Sequence, residues 1–226
     1  MSRGRLARAM GLLLCLAACA SAQDASRAPA AAQPKPPEAF QKATETGAVT
    51  SIAFDFELSG FSYHVAGNGN GRRMKGDKTR RFNLQLDRGD RLEVIYFSEY
   101  GGDLLLACGV TDEESGAGLV IRLEQPSMRA LWKRKIPAFN VGEPLREKRR
   151  LYVTGIGFVG ALDLKTGEYI WQHEKLYGRE REGAFNSFVA PELKGEEVSF
   201  KEMPVYDIRV KAVIVNRKTG KIVRIE

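Results

Sequence analysis

Six cations crowd into ten residues of this chain: Arg72, Arg73, Lys75, Lys78, Arg80 and Arg81, with Asp77 the only acid among them. Gly67-Asn68-Gly69-Asn70-Gly71 leads into them. Glycines and backbone amides followed by cations can cradle a phosphate or an anionic headgroup, so the run is the candidate site for an anion or a partner. Mutual repulsion keeps such a run out of a core, and the expectation is a long hairpin loop projecting into water, its field reaching about 8 Å at physiological salt. The bland reading is that Gly-Asn pairs form turns and the charges are a solvated face. A second basic run, Arg146, Lys148, Arg149 and Arg150, is offset by Glu143 and Glu147, and Asp112-Glu113-Glu114 forms an acidic loop elsewhere.

Other reactive groups are sparse. Beyond the leader the histidines are His64 and His173, with no His-Glu-x-x-His helix, no Gly-x-Ser-x-Gly elbow and no cysteine pairs at zinc spacing. His64 alternates within Phe61-Ser62-Tyr63-His64-Val65, and His173 shares a strand face with Trp171, so both read as packed or surface residues. Cys108 stands alone in the domain among apolar neighbours, which makes it a buried small hydrophobe without a disulfide partner. Two acids brought together by the fold would suffice for a carbohydrate-active hydrolase, but no particular pair stands out. No catalytic and no metal site is assigned.

The elements that must carry these residues are strands. Leu151 to Trp171 holds three apolar runs separated by glycine-centred turns at hairpin spacing, a β-meander. Gly167 follows Asp163-Leu164-Lys165-Thr166, where a tight hairpin needs positive φ, and Asp163 can fix that turn by bonding backbone N–H groups two residues on. Trp171 lies beside Tyr169 and Ile170, so both strand faces carry bulk and the sheet is expected to be covered on both sides. A stacking platform for a ring cofactor or sugar is the functional alternative for Trp171. Trp132 lies one blade length earlier, after strands 104–109 and 118–123, with Glu124 in the Asp163 slot and Met128 in the Gly167 slot. Ala212 to Arg224 repeats Lys-Thr-Gly, with Asn216 in the Asp163 slot and Arg224 in place of the tryptophan, as in a terminal, partly exposed repeat. Phe82 to Leu86 and Leu92 to Phe97, around Asp87-Arg88-Gly89-Asp90, read as a further hairpin, and Phe185 to Leu193 as room for a short turn of helix.

Ala161-Leu162-Asp163, then Thr166-Gly167, then Trp171 resembles the blade signature of the PQQ-like (quinoprotein) β-propeller repeat, most strongly over this one repeat. The resemblance implies an all-β fold of antiparallel meander blades, a small or incomplete PQQ-like propeller, with Asp163, Thr166, Gly167 and Trp171 as structural residues. An open curved sheet or a β-sandwich is the architectural alternative. Quinoprotein dehydrogenases of this fold hold their quinone with a vicinal cysteine disulfide, a stacking tryptophan and a calcium site. The vicinal pair is absent here, so the resemblance carries the blade without the redox chemistry, and no cofactor is expected. PQQ-like repeats lacking cofactor residues occur in the lipoprotein scaffold of the outer-membrane-protein assembly machinery, which implies a binding role through loops and strand edges.

Arg3, Arg5 and Arg8 precede the apolar run Gly11 to Ala18, too short to span a bilayer and built like a secretory signal. Leu16-Ala17-Ala18-Cys19 resembles a bacterial lipoprotein box with Cys19 as the lipidated mature first residue, while Ala20-Ser21-Ala22 would suit ordinary cleavage. The expected organisation is therefore a signal peptide over 1–19, a disordered Ala/Pro-rich tether over 20–46, and the β domain over 47–226. Removing the three leader arginines takes the net charge from +7 to +4, which does not point to nucleic acid. The sequence thus reads as a non-catalytic binding or scaffolding module of the bacterial cell envelope: an outer-membrane lipoprotein facing the periplasm, membrane-attached by its anchor and contacting a protein partner. A hydrolase, a structural cell-surface lipoprotein and a soluble periplasmic or secreted protein are the alternatives. If Cys19 is acylated, the chain incorporates labelled fatty acid and Cys19→Ser abolishes the label; soluble mature protein beginning at Gln23 would refute the anchor.

Overall fold

The computed structural model describes residues 36–48, 51–112, 115–176, 187–203 and 212–226. The leader, Cys19, the tether before residue 36, most of the acidic loop and the start of the expected helical turn lie outside them; Glu192–Lys194, at the end of that turn, is a strand. Three short strands come first: β1 (Glu38–Ala39), β2 (Gln41–Lys42) and β3 (Thr44–Thr46). Four meanders follow. The first comprises β4 (Ala53–Leu58), β5 (Phe61–Ala66), β6 (Asn70–Lys75) and β7 (Lys78–Asn83); the second β8 (Arg91–Tyr100), β9 (Asp103–Thr111), β10 (Gly116–Leu123) and β11 (Ala130–Ile136). The third comprises β12 (Leu145–Glu147), β13 (Arg150–Gly155), β14 (Phe158–Asp163) and β15 (Tyr169–His173); the fourth β16 (Glu192–Lys194), β17 (Glu197–Lys201), β18 (Ala212–Asn216) and β19 (Ile222–Ile225). Each meander is antiparallel throughout, and each forms its own sheet.

Side chains alternate across each strand, so one strand can serve two cores. On β9, Leu104, Leu106, Cys108 and Val110 pack with Phe54, Phe56, Tyr63, Val65 and Phe82 of the first sheet. Leu105 and Ala107, pointing the other way, meet Leu151, Val153 and Phe158 of the third. Val159, Ala161 and Trp171 of the third sheet in turn meet Val198, Phe200, Val213 and Val215 of the fourth. The sheets therefore stack face to face in chain order, and the middle two are apolar on both faces, as Leu104-Leu105-Leu106-Ala107-Cys108 requires. Among the described residues no apolar cluster joins the fourth sheet to the first. The architecture is all-β and propeller-like, an incomplete circle of blades.

Two expectations are corrected. Phe82 to Leu86 and Leu92 to Phe97 do not form a hairpin, because β7 and β8 belong to different sheets and Asp87-Arg88-Gly89-Asp90 is the link between blades. Leu84 and Leu86 pack into the core between these two sheets. The tether is also shorter than composition implied. Residues 38–46 pair antiparallel with the first strand of three sheets in reverse chain order: β1 with β12, β2 with β8, β3 with β4. Between these pairings Phe40 and Ala43 are buried, at 4% and 6% exposure, and they fasten a segment that is otherwise polar.

The turn between β14 and β15 shows how a blade is finished. Asp163 Oδ1 accepts from the Lys165 and Thr166 amides at 2.8 and 3.4 Å, and the Gly167 amide donates to Asp163 O at 2.7 Å. Asn216 repeats the arrangement, accepting from Lys218 and Thr219 at 3.1 and 3.0 Å while Gly220 donates to Asn216 O at 2.8 Å. Gly167 has φ 73°, and a Cβ there would lie 2.6 Å from the Trp132 indole, so glycine is demanded by conformation and by space. Gly167→Val is expected to destabilise the fold by about 1–3 kcal/mol, read as a lower denaturation midpoint; an unchanged midpoint would show that neither constraint matters.

Candidate functional site

The basic run is not a loop. Its cations occupy β6 and β7, joined by a turn at Gly76-Asp77, and the strand period of two divides them between the faces of the first sheet. Arg73, paired with Tyr63 and Arg80, faces the second sheet with Lys75 and Lys78. Arg73 Nη1 donates to Gln125 O, its guanidinium lies 4.5 Å from the Phe61 ring centre, and Arg80 Nε donates to Ser127 O at 3.3 Å. Lys75 Nζ lies 4.8 Å from the same ring. Arg73 and Arg80 are thus clasps onto the β10–β11 turn.

Those clasps belong to a series. From the second sheet, Trp132 Nε1 donates to Leu164 O at 3.1 Å and Arg134 Nε to Gly167 O at 2.7 Å. From the third, Trp171 Nε1 donates to Arg217 O at 3.2 Å and His173 Nε2 to Gly220 O at 2.6 Å. Arg80 stands four residues after Gly76, as Trp171 does after Gly167, so Arg80 takes the tryptophan's place in the first blade. Met128, in the glycine slot of the second blade, keeps the left-handed conformation at φ 56°. The arginines of the second basic run are also spent internally: Arg146 pairs with Glu38, Arg149 with Asp163, Arg150 donates to Arg217 O, and Arg217 pairs with Glu147.

Arg72 and Arg81 point the other way, onto the face turned from the second sheet. They complete a single cross-strand row in register, Thr44–Asp55–His64–Arg72–Arg81. His64 Nδ1 bonds Asp55 Oδ1 at 2.7 Å, and Thr46 Oγ1 donates to Asp55 Oδ2 at 2.8 Å. Partial burial alone would raise the Asp55 pKa, but these bonds and the charges of His64 and Arg72 hold it below the usual carboxylate range. Grooves of about 570 and 420 Å³ flank the imidazole, and the second reaches Asn70, Arg72 and Arg81. Alternation alone reads His64 as a packed or surface residue; the Ser59-Gly60 turn, with φ 52° and 74°, sets Asp55 opposite it.

The quinone-gripping chemistry of the PQQ-like family does not fit these residues. Both indoles are docked onto the next blade's turn, and Cys108 lies fully buried between Ala107 and Gly109, its thiol pushed up to about 12 by burial. No group of acids, histidines and cysteines able to hold a metal occurs among the described residues.

No family model matches the chain, and no curated protein does. Solved structures with a similar fold include the quinohemoprotein alcohol dehydrogenase of Comamonas testosteroni, at 14% identity over 84% of this chain and 37% of that one, TM-score 0.48. The quinohemoprotein alcohol dehydrogenase ADHIIG of Pseudomonas putida matches at 20% identity over 56% of this chain and 19% of that one, TM-score 0.40. The WD40 domain of SCAP from fission yeast matches at 9% identity over 81% and 46%, TM-score 0.39. The chain spans less than half the length of each.

The two faces of the basic hairpin are expected to behave differently. Replacing Arg73 and Arg80 with Ser should lower the melting temperature by a few degrees, since losing the part-buried bond of Arg73 to Gln125 O costs about 1 kcal/mol and losing the exposed bond of Arg80 costs less. Replacing Arg72 and Arg81 should leave it nearly unchanged; equal losses from both pairs would contradict the division.

Proposed function

We propose that this protein is a non-catalytic binding or scaffolding module of the bacterial cell envelope, anchored through a lipid on Cys19 and facing the periplasm from the outer membrane. It meets a protein partner or an anionic surface through the exposed cations of the β6–β7 hairpin. The reading is supported above all by one observation: Arg72, Lys78 and Arg81 are exposed and form no ion pair among the described residues, whereas most other arginines of the domain are tied to a carboxylate or a carbonyl. Unpaired cations gain most from an external anion. Their position on and beside the open strand β7 also keeps that edge from pairing with other strands, a role compatible with contact through side chains. The lipobox, the proline-rich spacer before residue 36 and the blade signature around Asp163 agree with a tethered scaffold.

Replacing Arg72, Lys75, Lys78 and Arg81 with Ser, while leaving Arg73 and Arg80, is the test. The variant should keep its melting temperature and lose salt-sensitive binding to vesicles containing anionic phospholipid, or lose an envelope partner trapped by a photo-crosslinker at Asp77. Binding unaltered across a salt series would remove the hairpin from the contact surface.

A further inference from the structure

The row that crosses the free face of the first sheet is ordered by charge: carboxylate, imidazole, guanidinium, guanidinium. Asp55, His64, Arg72 and Arg81 are directly opposed Cα partners on neighbouring strands, so their side chains project from one face at a repeat of about 4.8 Å. Like charges placed opposite each other across strands repel. Arg73 and Arg80, the equivalent pair on the other face, are relieved by backbone carbonyls of the second sheet. Arg72 and Arg81 have no such relief among the described residues, and Asp55, the acid of their row, is already engaged by His64 and Thr46. What remains is a pair of adjacent guanidinium forks beside an imidazole whose Nδ1 is fixed and whose Nε2 has no partner among the described residues. The groove beside them is floored by Ala66 and Gly71 and walled at one end by Asn70, whose side chain is held by Asn83 at 2.7 Å.

We infer that this row is a binding site for a phosphate monoester. A monoester carries about −1.5 to −2 charges near neutral pH, so two guanidinium groups neutralise it where a carboxylate would need one. Its three terminal oxygens can accept forked N–H pairs from Arg72 and Arg81 and still offer a lone pair or a proton to His64 Nε2. Asp55 sets the ring orientation through Nδ1, so it acts as a positioning residue for the imidazole. The inference deepens the anion-binding reading of the hairpin, naming the ligand chemistry of its free face; it does not depend on a protein partner.

The chain contains two histidines, which makes the test direct. Imidazole resonances of the full chain are followed by NMR during titration with inorganic phosphate and, in parallel, with submicellar dihexanoyl phosphatidic acid. The His64 signals should move saturably while those of His173, bonded to Gly220 O in the third sheet, stay fixed. Arg72→Ser with Arg81→Ser should weaken binding about tenfold or more, and Lys75→Ser with Lys78→Ser by no more than about twofold. Should the serine pair fail to fold, Arg72→Lys with Arg81→Lys keeps the charge and removes the forks, and it too should weaken binding. Tighter binding of the lipid than of phosphate identifies a headgroup as the source of the monoester, and equal binding a soluble one; either supports the site. No saturable shift at His64, parallel shifts at both histidines, lysine forms binding as tightly as the arginines, or an equal loss from Lys75 and Lys78 would overturn it. Loss of vesicle or partner binding with phosphate binding intact would instead count against the scaffold reading alone.

Discussion

Four meanders held only by apolar faces would be free to slide, because burial is nondirectional and rewards any overlap of similar area. The interaction that removes this freedom is a donor on one sheet reaching a backbone carbonyl in the last turn of the next. Trp132 does this to Leu164 and Trp171 to Arg217, with the indole lying over a glycine of the same turn. A large apolar ring supplies area while its single N–H fixes position. Each turn satisfies its own amides internally and leaves these carbonyls to the neighbouring sheet: the amides donate to Asp163, to Asn216 or, in the second blade, from Arg129 to Ser127 Oγ. Arg80 and Arg73 show that a cation can replace the indole at the start of the stack, where less surface has to be covered.

The same logic of spent and unspent groups organises the edges. The first strands of three sheets are covered by β1, β2 and β3, so their ladder groups are paired. The last strands stay open but carry charge: Lys78 and Arg81 on β7, Lys133 and Lys135 on β11, Arg224 on β19. Charged open edges discourage further strand addition. Arg224, where the tryptophan would be, pairs with Glu197 and Glu226, which suits a blade with no following blade to clasp among the described residues.

Much of this was legible where local chemistry decides the structure. The Asp163 turn, its Asn216 copy, the doubly apolar strands and the buried Cys108 follow from residue type and period alone. Links between sheets were not legible, because the Asp87-Arg88-Gly89-Asp90 turn has the same chemistry whether the next strand pairs with the last one or leaves for another sheet. The strap at 38–46 was missed because only Phe40 and Ala43 carry its burial, and a polar, proline-flanked segment looks unfolded until its partners exist. The basic run was misread for a different reason. Net charge outweighed an alternation, with Met74 and Phe82 set among the cations, that already placed Arg72 and Arg73 on opposite faces.

That strap carries a consequence for how the protein comes to be folded. Each meander closes through contacts between neighbours in sequence, so it can form as soon as its own residues are available. Glu38 and Ala39, by contrast, pair with Arg146 and Leu145, from which they are separated by the whole of the first two sheets. Closing so long a loop is costly in entropy until the third sheet is in place to reward it. The earliest of these strands in the chain is therefore the last to find its partner, and the sheets it crosses are locked together only when the third one has been made.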